Sequence, residues 1–556
     1  MKRVFNSIDR DIFQGQLLGV AEEMSKALRR SAYSPIIWDM YDYSCAILTV
    51  DGEILSQAET IPAQLGTMAT AFHGVSSEIP LDQWDEGDIL ICNDPYRGCA
   101  HTSDLTLFSP VFNAGELIAI ASTIAHHIDV GGSVPGTVSL EHVDLLSEGL
   151  VIPPVKLVVA GEISRFVLDL FKSNIRYAEP SLGDLYAQIS GCRIAERRIT
   201  ELARRYGNEG FAELATAVLD YGDRYTREMI RKLPDATFEA TTLIEDGIVS
   251  SDPVILKASL TVSGDSLAID FTGTSDQRSF GLNCPWASTV SMVMYAVKCV
   301  TASEIPSNGG CSRSLKITAP EGSVLNPKWP GAVSARHLSQ QAVADVVLKA
   351  FALATPELGS AASQISYPTF RVEGVDDRVG HKRRKYFIAD ILGGGAGASA
   401  KVDGMDAIDT HGGNCAVLSA EVMETLAPVR VLRSTLVQDS GGMGKFRGGL
   451  AMERDYEILS SSAIGAVKLQ QLDVNTAPWG FLGGGDGATG FSVLHPDTGL
   501  AKNIPFRGER ITYHRGDVIR VRSAGGGGYG NPEQRHQSDH EHDLSEGYVS
   551  THSGSQ

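Results

Sequence analysis

The chain has 556 residues, of which 43% are hydrophobic, 21% charged and 7% aromatic, which is enough to bury a sizeable core in two or more domains. Its formal net charge of -19 argues against nucleic-acid binding, which calls for a basic footprint, and leaves small molecules or another protein as partners. The eight cysteines (Cys45, Cys92, Cys99, Cys192, Cys284, Cys299, Cys311 and Cys415) include no C-x-x-C pair, so neither a disulfide framework nor a zinc ribbon is expected.

The first residues turn polar before any signal-peptide core forms, and no apolar run approaches the ~20 residues of a membrane span. A cytoplasmic protein without membrane contact is the expectation. Asp9 to Arg30 is predicted as an amphipathic helix, because Phe13, Leu17, Val20, Met24 and Leu28 recur at spacings of three and four, with Ser7 or Asp9 as its cap. Tyr43 to Val50 reads as a strand closed by an Asp51-Gly52 turn into Glu53–Ser56, a hairpin signal. Asp42 sits where that strand begins, a place where Asp is ordinarily a turn or cap residue.

The stretch from Ile91 to Gly132 carries the chemistry. The apolar run Asp88–Cys92 empties into Asn93–Gly98, followed by His101 and Asp104. A second apolar run, Leu117–Ile124, ends at His126, His127 and Asp129. Two strands thus deliver imidazole and carboxylate groups where they end, which is where a rigid scaffold presents groups for use. Taken singly, each histidine is more often a satisfied polar residue than a ligand. As a cluster they suit a divalent Zn, Mn or Fe centre better than a thiolate-loving metal. Cys99 reads as a buried thiol.

After the turn-rich Gly132–Gly136 and the Pro-interrupted Glu148–Leu157, the period moves toward 3.6. Leu185, Ile189, Cys192, Ile199, Leu202 and Tyr206 mark one helix, and Phe211, Leu214, Val218, Tyr221, Tyr225 and Met229 a second, with Gly207 between them. This predicts a helical hairpin over 180–232 whose Arg193, Arg197, Arg198, Arg204 and Arg205 face solvent. Residues 237–275 alternate in the β manner. Helices are predicted over 289–301 and 338–354, and the remainder to Asn531 is short strands between Gly-rich turns. The polar tail with His540, Glu541 and His542 is expected to be disordered and not a metal site. The reading is an α+β, multi-domain protein of mixed and antiparallel sheets with a strand-rich C-terminal half. Its expected parts are 1–235 (metal-site domain), 236–531 (strand-rich domain) and 532–556 (tail).

Three Gly-rich segments look like nucleotide loops and fail as such. Asp439–Gly449 has Asp439 where the first Gly of a phosphate loop belongs, and Phe446 follows Lys445 where Ser or Thr should bind magnesium. No helix pattern follows Gly393–Gly397 or Gly525–Gly530. The chain also has no G-x-S-x-G elbow.

The blocks DYSCA (42–46), NDPYRGCAHTSD (93–104), AHHIDVGG (125–132), NIR (174–176), GDLYAQ (183–188), DFTGTSDQ (270–277), DSGGMGKFRGG (439–449) and GGGGYGNP (525–532) occur in this order. With them the chain, over about residues 5 to 531, resembles the hydantoinase B/oxoprolinase family. These are the B-type subunits of ATP-dependent hydantoinases, 5-oxoprolinases and lactamases, related to subunits of acetone and acetophenone carboxylases. The resemblance implies a divalent metal held by Asp42, His101, Asp104 and His126. It also implies a hydantoinase A-type ATPase partner that binds ATP with Mg, in a hetero-oligomer of A2B2 type. Cyclic-amide hydrolysis would then follow, with the partner phosphorylating the amide oxygen and the metal supplying the water nucleophile. Within this scheme His127 and Asp129 are candidates for general base or for orienting His126, with plain structural hydrogen bonding as the alternative. Arg97 is a candidate for holding phosphate or substrate carboxylate, or else braces its loop. A ketone carboxylase subunit and a non-catalytic regulator of the ATPase stay open as other readings.

Overall fold

A computed structural model describes residues 5–246, 253–505 and 508–551. The fold is α+β, built from antiparallel sheets and helices, and the chain divides into two compact units. The first holds residues 1–237, 261–270 and 276–336, the second 238–260, 271–275 and 337–556. A single cut at 235 therefore does not describe the chain, because residues 276–336 belong with the N-terminal unit. Strand periodicity reports local conformation and not the unit a segment packs into, so the change of texture near 237 could not show that return.

The first unit is organised around a seven-stranded antiparallel sheet of order β2-β1-β5-β4-β3-β6-β7. Its strands are β1 (Tyr43–Leu48), β2 (Ile54–Gln57), β3 (Ile89–Cys92), β4 (Asp104–Asn113), β5 (Glu116–His126), β6 (Val155–Val159) and β7 (Glu162–Ile163). The β4–β5 hairpin turns at Ala114 and Gly115, both at positive φ (53° and 79°); this backbone twist matches the twist of the strands it joins.

Helix α1 (Ser7–Ser31) lies on one face of this sheet. Asn6, and neither Ser7 nor Asp9, caps it: the Asn6 side chain accepts from the Ile8 and Asp9 amides, and Asp9 answers back to the Asn6 amide. Phe13, Leu17, Val20, Met24 and Leu28 form its buried stripe, packed with Cys45, Ile47, Ala121 and Ala125 of the sheet. The short α2 (Pro35–Trp38) and α3 (Pro62–Leu65) precede α4 (Thr67–Glu78), which covers the opposite face with Met68, Ala71, Phe72 and Val75 against Leu48, Leu90, Phe108 and Ile124. A sheet covered on both faces explains why β3 and β5 read as unbroken apolar runs. After α5 (Arg165–Asn174), the predicted helical hairpin is present as α6 (Ala178–Tyr206) and α7 (Asn208–Ile230), with Gly207 at φ 74° between them. Arg193 and Arg198 pair with Glu196, Glu23 and Glu201.

Next come β8 (Thr237–Ile244), β9 (Val254–Ser263) and β10 (Ser266–Asp270); Val254, Leu256, Ala258, Leu260 and Val262 are buried, as alternation predicts. Residues 247–252, where part of the expected β stretch falls, lie outside the described residues. Helix α8 (Trp286–Thr301) belongs to the first unit, where Ser291 Oγ donates to the Pro62 carbonyl at 2.8 Å. The strand β11 (Leu315–Thr318) runs parallel to β10.

The second unit contains the buried helix α9 (His337–Ala354), followed by β12 (Thr369–Asp376), β13 (Arg384–Ile391), α10 (Ala420–Leu426), β14 (Val429–Leu436), β15 (Met452–Ile458), β16 (Ser462–Lys468), β17 (Phe491–Leu494), β18 (Lys502–Asn503), β19 (Gly508–His514) and β20 (Val518–Arg522). They form two antiparallel sheets of orders β13-β12-β16-β19 and β14-β15-β20-β17-β18. The Gly-rich segments are not isolated turns. They lie side by side and bond backbone to backbone: Gly395 donates to Ala524, Gly449 to Ala396, Gly442 to Gly526, Gly526 to Gly449 and Gly528 to Gly485. A Cβ on Gly395, Gly448 or Gly526 would overlap a neighbouring carbonyl oxygen, so glycine is demanded here by closeness of approach.

The tail departs from the expected disorder. Residues Gln537–Ser545 form helix α11, capped by His536, and its Asp543 takes ion pairs from Arg447 and Arg535. A polar composition permits order when the charges find buried partners. Among the described residues, no helix is long and apolar enough to cross a membrane.

Candidate metal centre

The register of three neighbouring strands assembles the site. Asp104, the first residue of β4, pairs directly with His126, the last of β5. On the other side of β5, Tyr43 pairs with Ala125, and the His126 amide donates to the Asp42 carbonyl at 3.1 Å. Asp42, His126 and Asp104 therefore stand in one row across β1, β5 and β4. Directly opposed residues share a face of the sheet. His101 enters from the turn before β4, where the Asp104 amide donates to the His101 carbonyl at 3.0 Å.

The side chains converge. Asp104 Oδ1 lies 3.1 Å from His101 Nε2 and 3.0 Å from His126 Nδ1, and the two imidazole nitrogens are 3.1 Å apart. His101, Asp104 and His126 offer ligand atoms that all lie within 4.8 Å of one another. Asp42 stands beside this triad and is held by Gln64, whose Nε2 donates to Asp42 Oδ1 at 2.8 Å. Two groups that sequence reasoning did not select complete the surroundings. Arg336 donates to Asp104 Oδ2 at 2.8 Å, and His101 Nδ1 lies 3.1 Å from the Ser334 carbonyl. Both come from a loop more than two hundred positions away. The only local hint is an arginine after the small-residue run Gly331–Ala335.

That loop is itself pinned from beneath. The buried Glu148 accepts hydrogen bonds from the Val333 and Ser334 amides, the latter at 2.8 Å. Ser334 Oγ donates to the Ser139 carbonyl at 2.7 Å and lies 2.9 Å from His142 Nδ1.

The electrostatics suit a cation. The Ser334 carbonyl accepts a proton only from Nδ1, which sets the neutral His101 tautomer and leaves the Nε2 lone pair aimed at Asp104 and His126. Burial is the main cause that brings His101 down to about 4, against the opposing pull of Asp104. Burial acts to raise Asp104, but His101, His126 and Arg336 outweigh it and hold the carboxylate well below its usual range. His126 is raised: burial opposes its charge, and the Asp104 hydrogen bond with the Asp42 and Asp104 charges prevails. Burial lifts Asp42 to about 6, with Asp104 adding to the shift and His126 opposing it. A neutral imidazole, an ionised carboxylate and a second imidazole gathered around one point form a donor set that fits a divalent metal of the Zn, Mn or Fe kind.

The other candidate residues are engaged elsewhere. His127 is fully buried, with Nε2 3.0 Å from Gln188 Oε1 on α6 and its ring edge-on to Phe171. Asp129 accepts from the Gly131, Gly136 and Arg176 amides and from Arg176 Nη1 at 3.0 Å, so it organises the loop after β5. Arg97 is ion-paired with Glu78 and Asp94. These are the contacts of bracing residues. The structure brings none of the three into the triad.

The family model described as hydantoinase B/oxoprolinase matches residues 6–532. A putative B-type subunit of a D-/L-hydantoinase from a Pseudomonas species is 32% identical, over 96% of this chain and 92% of the relative. The crystal structure of the ATP-dependent caprolactamase from Pseudomonas jessenii superposes with a TM-score of 0.89 at 27% identity, covering 99% of this chain and 95% of the other. A nucleotide-free acetone carboxylase shares the fold, with a TM-score of 0.87 at 18% identity over 98% of this chain and 78% of that one.

Proposed function

The chain belongs to the hydantoinase B/oxoprolinase family, and from that membership we propose that it is the metal-binding, B-type component of an ATP-dependent enzyme that hydrolyses a cyclic amide such as a hydantoin, oxoproline or lactam. The observation that carries the reading is the His101–Asp104–His126 triad at the end of a strand pair, with Asp42 beside it. His101, Asp104, His126 and Asp42 are the residues that would hold the metal. A divalent ion there supplies Lewis acidity and a water whose pKa falls toward ~7.

The chain's own residues then have separate tasks. The Ser334 carbonyl keeps the proton of His101 on Nδ1, so that Nε2 stays available. Arg336 neutralises Asp104 from the Oδ2 side and leaves Oδ1 facing the imidazoles. Gln64 orients Asp42 by donating to its Oδ1 at 2.8 Å. An amide carbonyl is a weak electrophile, and phosphorylation of its oxygen by an A-type ATPase partner would turn it into a strong one.

The test is reconstitution with an A-type ATPase partner and an assay of ATP turnover against a panel of hydantoins, oxoproline and lactams, with and without bicarbonate. Ring opening coupled to ATP cleavage and independent of bicarbonate is the expected result. Turnover of a ketone that requires bicarbonate would replace this reading with the carboxylase one.

A further inference from the structure

The segment Pro330–Arg336 belongs to the first unit and carries two groups onto the candidate metal centre, the Ser334 carbonyl to His101 and the Arg336 guanidinium to Asp104. Its middle, Gly331–Ala335, is a run of small residues. Side chains of this size anchor a segment weakly, so its place is set by where its backbone groups are bonded. The Pro330 carbonyl accepts from the Leu145 amide at 2.7 Å, the Gly331 carbonyl from the Tyr96 hydroxyl at 2.7 Å and the Ala332 carbonyl from Asn283 Nδ2 at 2.8 Å. The Ala335 amide donates to the Gly281 carbonyl at 2.8 Å. Between these, the Val333 and Ser334 amides both go to Glu148 Oε1. Glu148 thus holds the amide of the residue whose carbonyl meets His101.

The base from which Glu148 reaches is fixed by the same centre. Glu148 is fully buried and ends the short turn Leu145–Glu148. Its carbonyl accepts at 3.3 Å from the hydroxyl of Thr102, the residue after His101. The turn also lies against the loop that follows His126. There the Ser133 amide donates to the Ser147 carbonyl at 3.0 Å, and the Leu150 amide to the Val130 carbonyl at 2.8 Å. A Cβ on Gly132, at φ 81°, would come within 2.7 Å of the Glu148 carbonyl carbon, and packing this close leaves the turn little room to shift. A carboxyl is costly to bury unless hydrogen bonds offset the loss of water, and those of Glu148 fall on the segment that meets His101 and Asp104.

We propose that Glu148 is a positioning residue of the metal centre. From a base shared with the loops after His101 and His126, it sets where the Ser334 carbonyl and Arg336 stand, and thereby the affinity of the centre for its metal. The role rests on the metal-centre reading above. Reach matters here and charge does not, because an amide oxygen at the same distance accepts the same two hydrogen bonds.

The experiment compares Glu148→Gln with Glu148→Asp in the full-length chain. The first keeps the reach and removes the charge, and the second keeps the charge and withdraws it by one methylene. Zinc affinity is read by competition with a chromophoric chelator. In the metal-free chain, 15N NMR of labelled histidine reads the His101 tautomer, assigned with His101→Ala. Glu148→Gln should match the wild type in both. Glu148→Asp should bind zinc at least about tenfold more weakly, the usual cost of losing such a support, and should lose the single Nδ1–H tautomer of His101. Phe13→Ala, destabilised at helix α1, should keep the wild-type affinity and tautomer, which separates positioning from a general loss of stability. Thermal unfolding reports that each variant folds. Wild-type affinity and tautomer in Glu148→Asp overturn the proposal. So does weakened binding in Glu148→Gln, which would assign the effect to charge, and that result decides even where Glu148→Asp does not fold. A wild-type chain that takes up no zinc refutes the metal reading, while the tautomer still decides whether Glu148 positions His101.

Discussion

Asp104 is the most heavily used residue of the candidate metal centre, since one oxygen meets two imidazoles and the other meets Arg336. Asp104→Asn keeps the shape and removes the charge that holds the cluster together. The expected outcome is a protein that folds yet retains less than about a tenth of the wild-type metal, as structural or catalytic ligand losses imply, measured by elemental analysis after dialysis. His101→Ala should do the same. Retention of full metal by both variants would remove the centre from these residues. Glu148 makes a separate prediction. Burial raises its pKa to about 8, with the Val333 and Ser334 amides opposing the shift. A carboxyl raised in the folded state binds its proton more tightly there than when unfolded. Stability is therefore greatest below the unfolded value of about 4.5 and falls as pH rises toward about 8. The loss is on the order of a few kcal/mol at most. Glu148→Gln retains the oxygen that accepts from both amides and removes the ionisation. Its melting temperature should lose most of this pH dependence between pH 5 and 8, by calorimetry in buffers of equal ionic strength. An unchanged slope would show that Glu148 is not the titrating group.

At the scale of elements, helix α1 and the Gly-rich segments make opposite kinds of demand. Helix α1 holds its place through a stripe of apolar side chains, and Phe13 is fully buried between Tyr206 and Phe211, edge-on to both. Phe13→Ala should cost about 3–5 kcal/mol, read as a lower denaturant midpoint with an unchanged slope. The Gly-rich segments are held by backbone alone. Gly526→Ala would drive a methyl group into the Ala396 carbonyl, and because the neighbour is backbone it cannot turn away. The expected result is greater loss of stability than for Gly499→Ala, where nothing lies within reach of the added carbon; equal melting temperatures would contradict it. The same packing bears on nucleotide binding. The amides of Gly442, Lys445, Phe446, Gly448 and Gly449 all donate to backbone carbonyls, and that of Arg447 to Asp403. Six amides of this loop are therefore committed to protein acceptors, and the chain by itself should show no ATP binding in calorimetry.

At the scale of the whole molecule, legibility in the sequence follows the range of the interactions. The α+β class, helices α1, α6, α7, α8 and α9, and the β1–β2 hairpin were readable because each writes its own period into a window of ten to twenty residues. His101, Asp104 and His126 were readable as a cluster of candidate groups, since two strands of one hairpin bring them within a short span of chain. Asp42 was not distinguishable from a strand-start Asp on local grounds, and only the resemblance to a family singled it out. The structure supplies the reason for its place: the register of β1 against β5 sets it beside His126. What the sequence by itself determined is therefore local conformation, the apolar faces and the identity of the chemically able residues. Only the tertiary structure decided that Arg336 meets Asp104 and the Ser334 carbonyl meets His101, that Asp129 and His127 have their partners elsewhere, and that residues 276–336 return to the first unit. It likewise decided that the polar tail folds onto arginines. The physical reason is common to all of these: hydrogen bonds, ion pairs and close backbone packing between separate segments, some more than two hundred residues apart, leave no periodic trace in either segment.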